Sequence, residues 1–116
     1  MVNGAHIVVY SSNPEADRAF FRDVLGYAHV DAGGGWLIFT LPPAEIAVHP
    51  SDGRNSYGFY LICDDVDASV DELTAKGVEF TKPVTNLRWG RSTAFRLPGG
   101  GEVGLYEPSH RRAIAP

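Results

Sequence analysis

The sequence has one cysteine, Cys63, so no disulfide can form within the chain, and a reducing, cytoplasmic setting is expected. No apolar run approaches the roughly 20 residues that a membrane-spanning helix needs, so no membrane partner is expected. Met1-Val2-Asn3-Gly4 reads as leading straight into a first strand, which leaves no room for a secretory leader. Positive charge is scarce. The formal net charge is -4, and the nearest thing to a basic patch is His110-Arg111-Arg112, whose plainer reading is a solvated chain end. Phosphate binding needs such a patch, so nucleic acid is not an expected partner. Gly99-Gly100-Gly101-Glu102 is not a phosphate loop, because no Lys-Ser/Thr follows and a strand comes next instead of a helix. No Ser-His-Asp spacing stands out, and low-complexity segments are absent.

What is present is a doubled unit. His6 to Ala16 aligns with Gly58 to Ala68, and each stretch is an apolar strand running into a helix start. An amphipathic helix and then a glycine follow in both copies, Gly26 in the first and Gly77 in the second. Neither copy could bury its apolar face alone, whereas two copies packed together can form one sheet around a cleft. The 116 residues, 44% hydrophobic and 21% charged, suit one globular domain with a modest core.

The helix signals are local. Asn13 is placed to cap the first helix, and Pro14 suits its first position, where a missing N–H costs nothing. Phe20, Phe21, Val24 and Leu25 form its apolar stripe, with Arg18, Arg22 and Asp23 on the other side. Asp65 is placed to cap the second helix, whose stripe is Val66, Val70 and Leu73 and whose end is Lys76-Gly77. Strands are expected near 5–11, 27–32, 35–41, 44–49, 57–63, 78–82, 92–97 and 102–107. Gly33-Gly34-Gly35 reads as a hairpin turn. The expected organisation is a single α+β domain over 1–116. It has a first β-α-β-β-β module at 1–50, a linker at 51–56, a second β-α-β-β-β module at 57–108 and a tail at 109–116. Strand alternation puts Gly58, Tyr60 and Ile62 on one face, and Glu102, Gly104 and Tyr106 on one face, without saying which faces meet the cleft.

The chain resembles the vicinal oxygen chelate superfamily, which includes glyoxalase I, bleomycin-resistance proteins, fosfomycin-resistance enzymes and extradiol dioxygenases. The likeness rests on His6-Ile7-Val8-Val9-Tyr10, on Ala19-Phe20-Phe21-Arg22-Asp23-Val24-Leu25-Gly26, on Asp64-Asp65-Val66-Asp67-Ala68, on Ala75-Lys76-Gly77-Val78, on Trp89-Gly90 and on Pro98-Gly99-Gly100. It implies two β-α-β-β-β modules forming a curved mixed sheet around a shared pocket, often within a homodimer. The family's enzymes hold a divalent metal there with His and Glu, which lets two substrate oxygens chelate and stabilises the oxyanion that forms. The implied ligand positions fall on His6, Ala47, Gly58 and Gly104, so only His6 is a donor. A catalytic zinc site generally needs three protein ligands and an open position. The expectation is therefore no metal and no cofactor.

The remaining candidates each have a plain alternative. His6 is either a pocket imidazole that hydrogen-bonds a ligand or a strand-end histidine satisfied by backbone or water. His49 shares strand parity with Ala47 but precedes Pro50 at a strand end, where it can equally face solvent. A rebuilt metal site from His6, His49 and Glu45 is conceivable. Asp64-Asp65 has the look of an acid/base pair, yet both sit where a helix start favours negative charge. Cys63 reads as a structural thiol. Trp89, flanked by Arg88 and Arg91 in a loop without periodicity, is suited to stack on a planar ligand or pair with an anionic group. The leading expectation is a metal-free binder of a small organic molecule, with His6, His49, Tyr60, Trp89 and Tyr106 lining an aromatic pocket. Sequestration, as in bleomycin-resistance proteins, is one role that fits. The alternatives are a metal-dependent lyase, isomerase or dioxygenase-like enzyme with replacement ligands, acid/base catalysis by His6 or His49, and an interaction module whose pocket has filled.

Overall fold

The computed structural model describes residues 6–50, 52–53 and 55–113. Helix α1 (Pro14–Ala19) starts where Asn13 accepts a hydrogen bond from the Ala16 N–H at 3.3 Å. It does not continue as a regular α-helix. Phe20–Val24 forms a π-helical turn, in which the Leu25 N–H reaches back five residues to the Phe20 carbonyl. The wider turn carries the adjacent rings Phe20 and Phe21 into the core, where both are buried. Helix α2 (Val66–Ala75) starts at Asp65, which accepts from the Ala68 N–H at 3.1 Å. The Val66 N–H is taken by Glu107 at 2.9 Å, a cap supplied from a distant strand.

The strands fall into two sheets. β1 (His29–Asp31) and β2 (Leu37–Phe39) form an antiparallel hairpin. Its turn is held by the Asp31 carboxylate, which accepts from the Gly33 and Gly35 N–H groups at 2.8 and 3.2 Å. All three turn glycines have positive φ, so the Gly-Gly-Gly run is a backbone requirement here. The second sheet has the order β3-β6-β5-β4, from β3 (Tyr60–Ile62), β4 (Phe80–Leu87), β5 (Gly90–Arg96) and β6 (Glu102–Pro108). β3 runs parallel to β6, and the other pairs are antiparallel. Among the described residues the fold is thus mixed α+β, with two short helices, a mixed sheet and no closure between the sheets.

One face of the large sheet is the core. Phe95, Leu97, Val103 and Leu105 point to the helices and pack with Phe20, Phe21, Val66 and Val78. Phe95 is fully buried, with its ring 5.8 Å from both Phe20 and Phe80. Burying a side chain of that size is worth about 1.5–3 kcal/mol. The small hairpin joins through Phe39, 5.7 Å from Phe21. A polar clasp fixes α1 to the β5–β6 turn. Buried Asp17 accepts the Gly99 N–H at 2.6 Å, and the Ser12 hydroxyl donates to the Gly99 carbonyl at 2.8 Å.

Several expected elements differ. The segments expected as strands near 5–11 and 44–49 carry no regular structure over their described residues, and residue 5 lies outside the described set. Alternating apolar residues mark the faces of a strand. A strand also needs a neighbour for its N–H and C=O groups, and no ladder reaches these segments among the described residues. Ile46 and Val48 are accordingly exposed. β4 and β5 are longer than expected. Register shifts in β4 take up Pro83, whose missing N–H would otherwise break the ladder. The stretch 86–91 is a tight β4–β5 turn, with Leu87 opposite Gly90, and not an open loop. Within the linker, residues 51 and 54 lie outside the described residues.

Candidate functional site

The face of the large sheet turned away from the helices is open. Strand alternation places Glu102, Gly104 and Tyr106 of β6 on it, opposite the core residues Val103 and Leu105. Ala94 is the register partner of Gly104, and Tyr60 is its partner across the parallel β3–β6 pair. A hollow of about 270 Å³ opens here, lined by Tyr57, Gly58, Phe59, Tyr60, Lys82, Thr93, Ala94, Glu102 and Gly104. One wall is polar, because Glu102 accepts from the Thr81 hydroxyl at 2.8 Å and lies 3.8 Å from Lys82. A larger hollow of about 370 Å³ lies on the helix side, between Val24, Lys76, Arg96 and their neighbours, and none of the candidate residues line it.

Four of the five residues singled out from the sequence lie along one series of contacts, two ring pairs joined through the Trp89 backbone carbonyl. Tyr60 meets Tyr106 with ring centroids 6.4 Å apart and planes at 68°. The Tyr106 hydroxyl donates to the Trp89 carbonyl at 2.7 Å. The Trp89 ring meets His49 edge-on at 5.9 Å. Tyr60 and Trp89 are 58% and 46% exposed, enough for either to receive a ligand. Gly90 is the hinge of this arrangement. Its φ is 156°, and a Cβ there would press against the Glu107 backbone and the Tyr106 ring.

His6 does not join them. It is exposed on a segment without regular structure. His110 does join, with its ring 5.8 Å from Tyr106. The sequence offered no sign of it beyond its place in a basic tail. That tail folds back: the Ser109 N–H donates to the Trp89 carbonyl at 2.9 Å, Arg112 lies 3.6 Å from Asp64, and the Ala113 N–H donates to Glu45 at 2.8 Å. Burial pushes the Tyr106 phenol above its ordinary pKa, and the negative charge of Glu45 adds to the shift. Burial likewise raises the Cys63 thiol, whose Sγ lies 3.7 Å from the Tyr106 carbonyl. A thiol held protonated in this way is a poor nucleophile.

Of the four positions the resemblance assigns to metal ligands, two lie against one tyrosine ring. Gly58 and Gly104 lie beneath the Tyr60 ring, and a Cβ on either would collide with it. Among the described residues, no three His, Cys, Asp or Glu side chains converge as metal ligands, so His6, His49 and Glu45 do not form a cluster. No helix among the described residues is long and apolar enough to cross a membrane.

Comparison with known proteins agrees with this architecture. The structure of TnmS3, an antibiotic-binding protein from Streptomyces sp. CB03234, superposes with a TM-score of 0.67 at 28% identity, covering 94% of this chain and 99% of that one. Lactoylglutathione lyase from Agrobacterium tumefaciens superposes with a TM-score of 0.64 at 21% identity, covering 90% and 92%, a likeness of fold. A manganese-dependent 2,3-dihydroxybiphenyl 1,2-dioxygenase from Geobacillus genomosp. 3 is 30% identical over 115 residues. That match takes in 87% of this chain but only 35% of the relative's length. Residues 5–110 match the Glyoxalase/Bleomycin resistance protein/Dioxygenase superfamily, and with two capped helices packed on one face of a mixed sheet whose other face stays open, the chain belongs to that superfamily.

Proposed function

We propose that the protein binds a flat small organic molecule on the open face of the large sheet, without a metal ion. The observation that carries this is the series of contacts linking Tyr60, Tyr106, Trp89 and His49, two of them well exposed, beside a hollow with a polar wall. A stacked ring pair contributes about 0.5–1.5 kcal/mol beyond its burial, so two or three such contacts add about 1–4.5 kcal/mol to what burial of the ligand provides. The donor set does not fit a divalent ion. Two of the four implied ligand positions are glycines covered by a tyrosine, and no trio of donors replaces them among the described residues. The net charge of -4 is compatible with a cationic ligand, while Lys82 on the same wall offsets the charge of Glu102. The antibiotic-binding relative supports sequestration as the role.

Titration with proflavine, a planar cationic dye, tests this. Saturable binding is expected, with quenching of a tryptophan signal that Trp89→Phe removes. An absence of saturable binding by this dye and by a panel of planar cations overturns the reading.

A second reading is metal-dependent chemistry with replacement ligands, favoured by the identity to a manganese-dependent dioxygenase. Stoichiometric manganese in protein purified without chelator would establish it. The binder reading expects metal content far below one ion per chain.

We also propose that the chain acts as a homodimer in a reducing compartment, as one domain of two modules. The exposed apolar residues Ile7, Val8, Ile46 and Val48 support pairing with a second copy. Sedimentation showing a monomer at micromolar concentration would overturn the dimer.

A further inference from the structure

Of the glycines on the open face, Gly58 and Gly104 have no backbone reason to be glycine. Neither has a positive φ, unlike Gly26, Gly77 or Gly90. A glycine inside a strand, as Gly104 is, is a cost, because it loses more conformational freedom than other residues and packs nothing, and Gly58 stands just ahead of β3. Their common feature is the Tyr60 ring. A Cβ on Gly58 would stand 2.9 Å from Tyr60 Cε2. A Cβ on Gly104 would stand 2.9 Å from Tyr60 Cγ and closer still to Cδ1 and Cε1. Real Cβ atoms essentially never approach so near, so with a side chain at either position the Tyr60 ring must leave its present place.

We propose that Tyr60 determines what kind of ligand the open face accepts: its ring lies over Gly58 and Gly104, fills the room that a chelating side chain at either position would need, and presents its outer surface to a flat ligand instead. The register makes this possible. Tyr60 pairs with Gly104 across parallel β3 and β6, and Gly58 lies two residues before it, ahead of β3 and against the edge of the ring. Behind the ring, Ala94 pairs with Gly104, so the floor is built from the two smallest residues and the ring can lie low. The ring remains 58% exposed, with Tyr106 set at a steep angle beside it. A tyrosine covering a cross-strand glycine also serves as a purely structural device. What separates the two roles is whether ligand binding depends on the ring. The ligand half of the proposal rests on the binding reading above, and the steric half does not.

The test is a double-mutant cycle on the full chain with two readouts. Gly104→Ala is expected to push the Tyr60 ring from its place and to lower the melting temperature by about 2–5 °C, a surface-exposed form of overpacking. In the Tyr60→Ala background the same change is expected to cost little, because the obstacle has gone. Should Gly104→Ala fail to fold, Gly58→Ala, which meets the ring edge alone, runs the same cycle. Additive losses overturn the steric half, even in a protein that binds ligand. For the second readout, Tyr60→Ala is expected to weaken proflavine binding about tenfold, while Tyr60→Phe retains it. Unchanged dye affinity in a folded Tyr60→Ala protein leaves Tyr60 structural and overturns the specificity role. Absence of dye binding by the wild-type protein removes the functional reading together with the ligand half, and the stability cycle still decides the steric half.

Discussion

The two halves of the chain carry similar sequence signals and reach different ends. In the second, residues 60–62, 80–87, 90–96 and 102–108 all find partners and bury one face against both helices. In the first, only the short β1–β2 hairpin pairs, and the segments at 6–10 and 40–50 run without a ladder among the described residues. The apolar alternation is as clear in one as in the other. The difference is a neighbour: a strand gains its hydrogen bonds from another strand, whereas a helix finds them within itself. Both helices therefore form where their caps predict, and the strands form only where topology supplies an edge.

The largest effect that would break this contrast is in the core. Phe95→Ala should cost about 3–5 kcal/mol in denaturant unfolding, because a fully buried ring leaves a cavity between Phe20 and Phe80. Val48→Ala, at a residue 93% exposed, should stay within about 0.5 kcal/mol of wild type in dilute protein. A loss at Val48 that grows with protein concentration would mean that a second copy covers this edge. Next is the clasp that joins the halves. Asp17→Ala should cost about 1–3 kcal/mol, because it leaves the Gly99 N–H without its acceptor. Hydrogen exchange at Gly99 should then rise sharply while exchange in β6 stays slow.

The smallest effect is on titration. Burial and Glu45 raise the Tyr106 phenol above its unfolded value. The folded state then holds the proton more tightly. The corresponding stability is complete below the unfolded tyrosine pKa of about 10 and is lost as pH rises through the folded value. Ultraviolet titration should show late phenolate ionisation from Tyr106 and from Tyr27, whose phenol burial also raises, and Tyr106→Phe should remove the Tyr106 step alone. Glu45→Gln should move the step only slightly downward, since burial is the larger cause.

Part of this grouping was legible in the chain. Tyr60, Tyr106 and His49 stood out by type and strand parity and Trp89 by its stretch without periodicity, and the fold sets the four near one another. His6 was identified as the one remaining donor of an inherited set, and it stands apart because its strand lacks a partner. His110 escaped notice because it acts only after the tail folds back onto Tyr106. The π-helical turn was hidden for a related reason. The adjacent stripe residues Phe20 and Phe21 reach the core through a widened turn, while helix periodicity assumes a regular one.

The sequence by itself determined the parts governed by near neighbours: the helix starts at Asn13 and Asp65, the glycine turn after Asp31, the apolar faces and the family. Tertiary structure alone decided which of those faces stays open, that Tyr60 lies over Gly58 and Gly104, and that Asp17 holds Gly99. These are contacts between residues far apart in the chain. Local propensity cannot specify them, because their energy appears only once distant strands and helices have packed against each other.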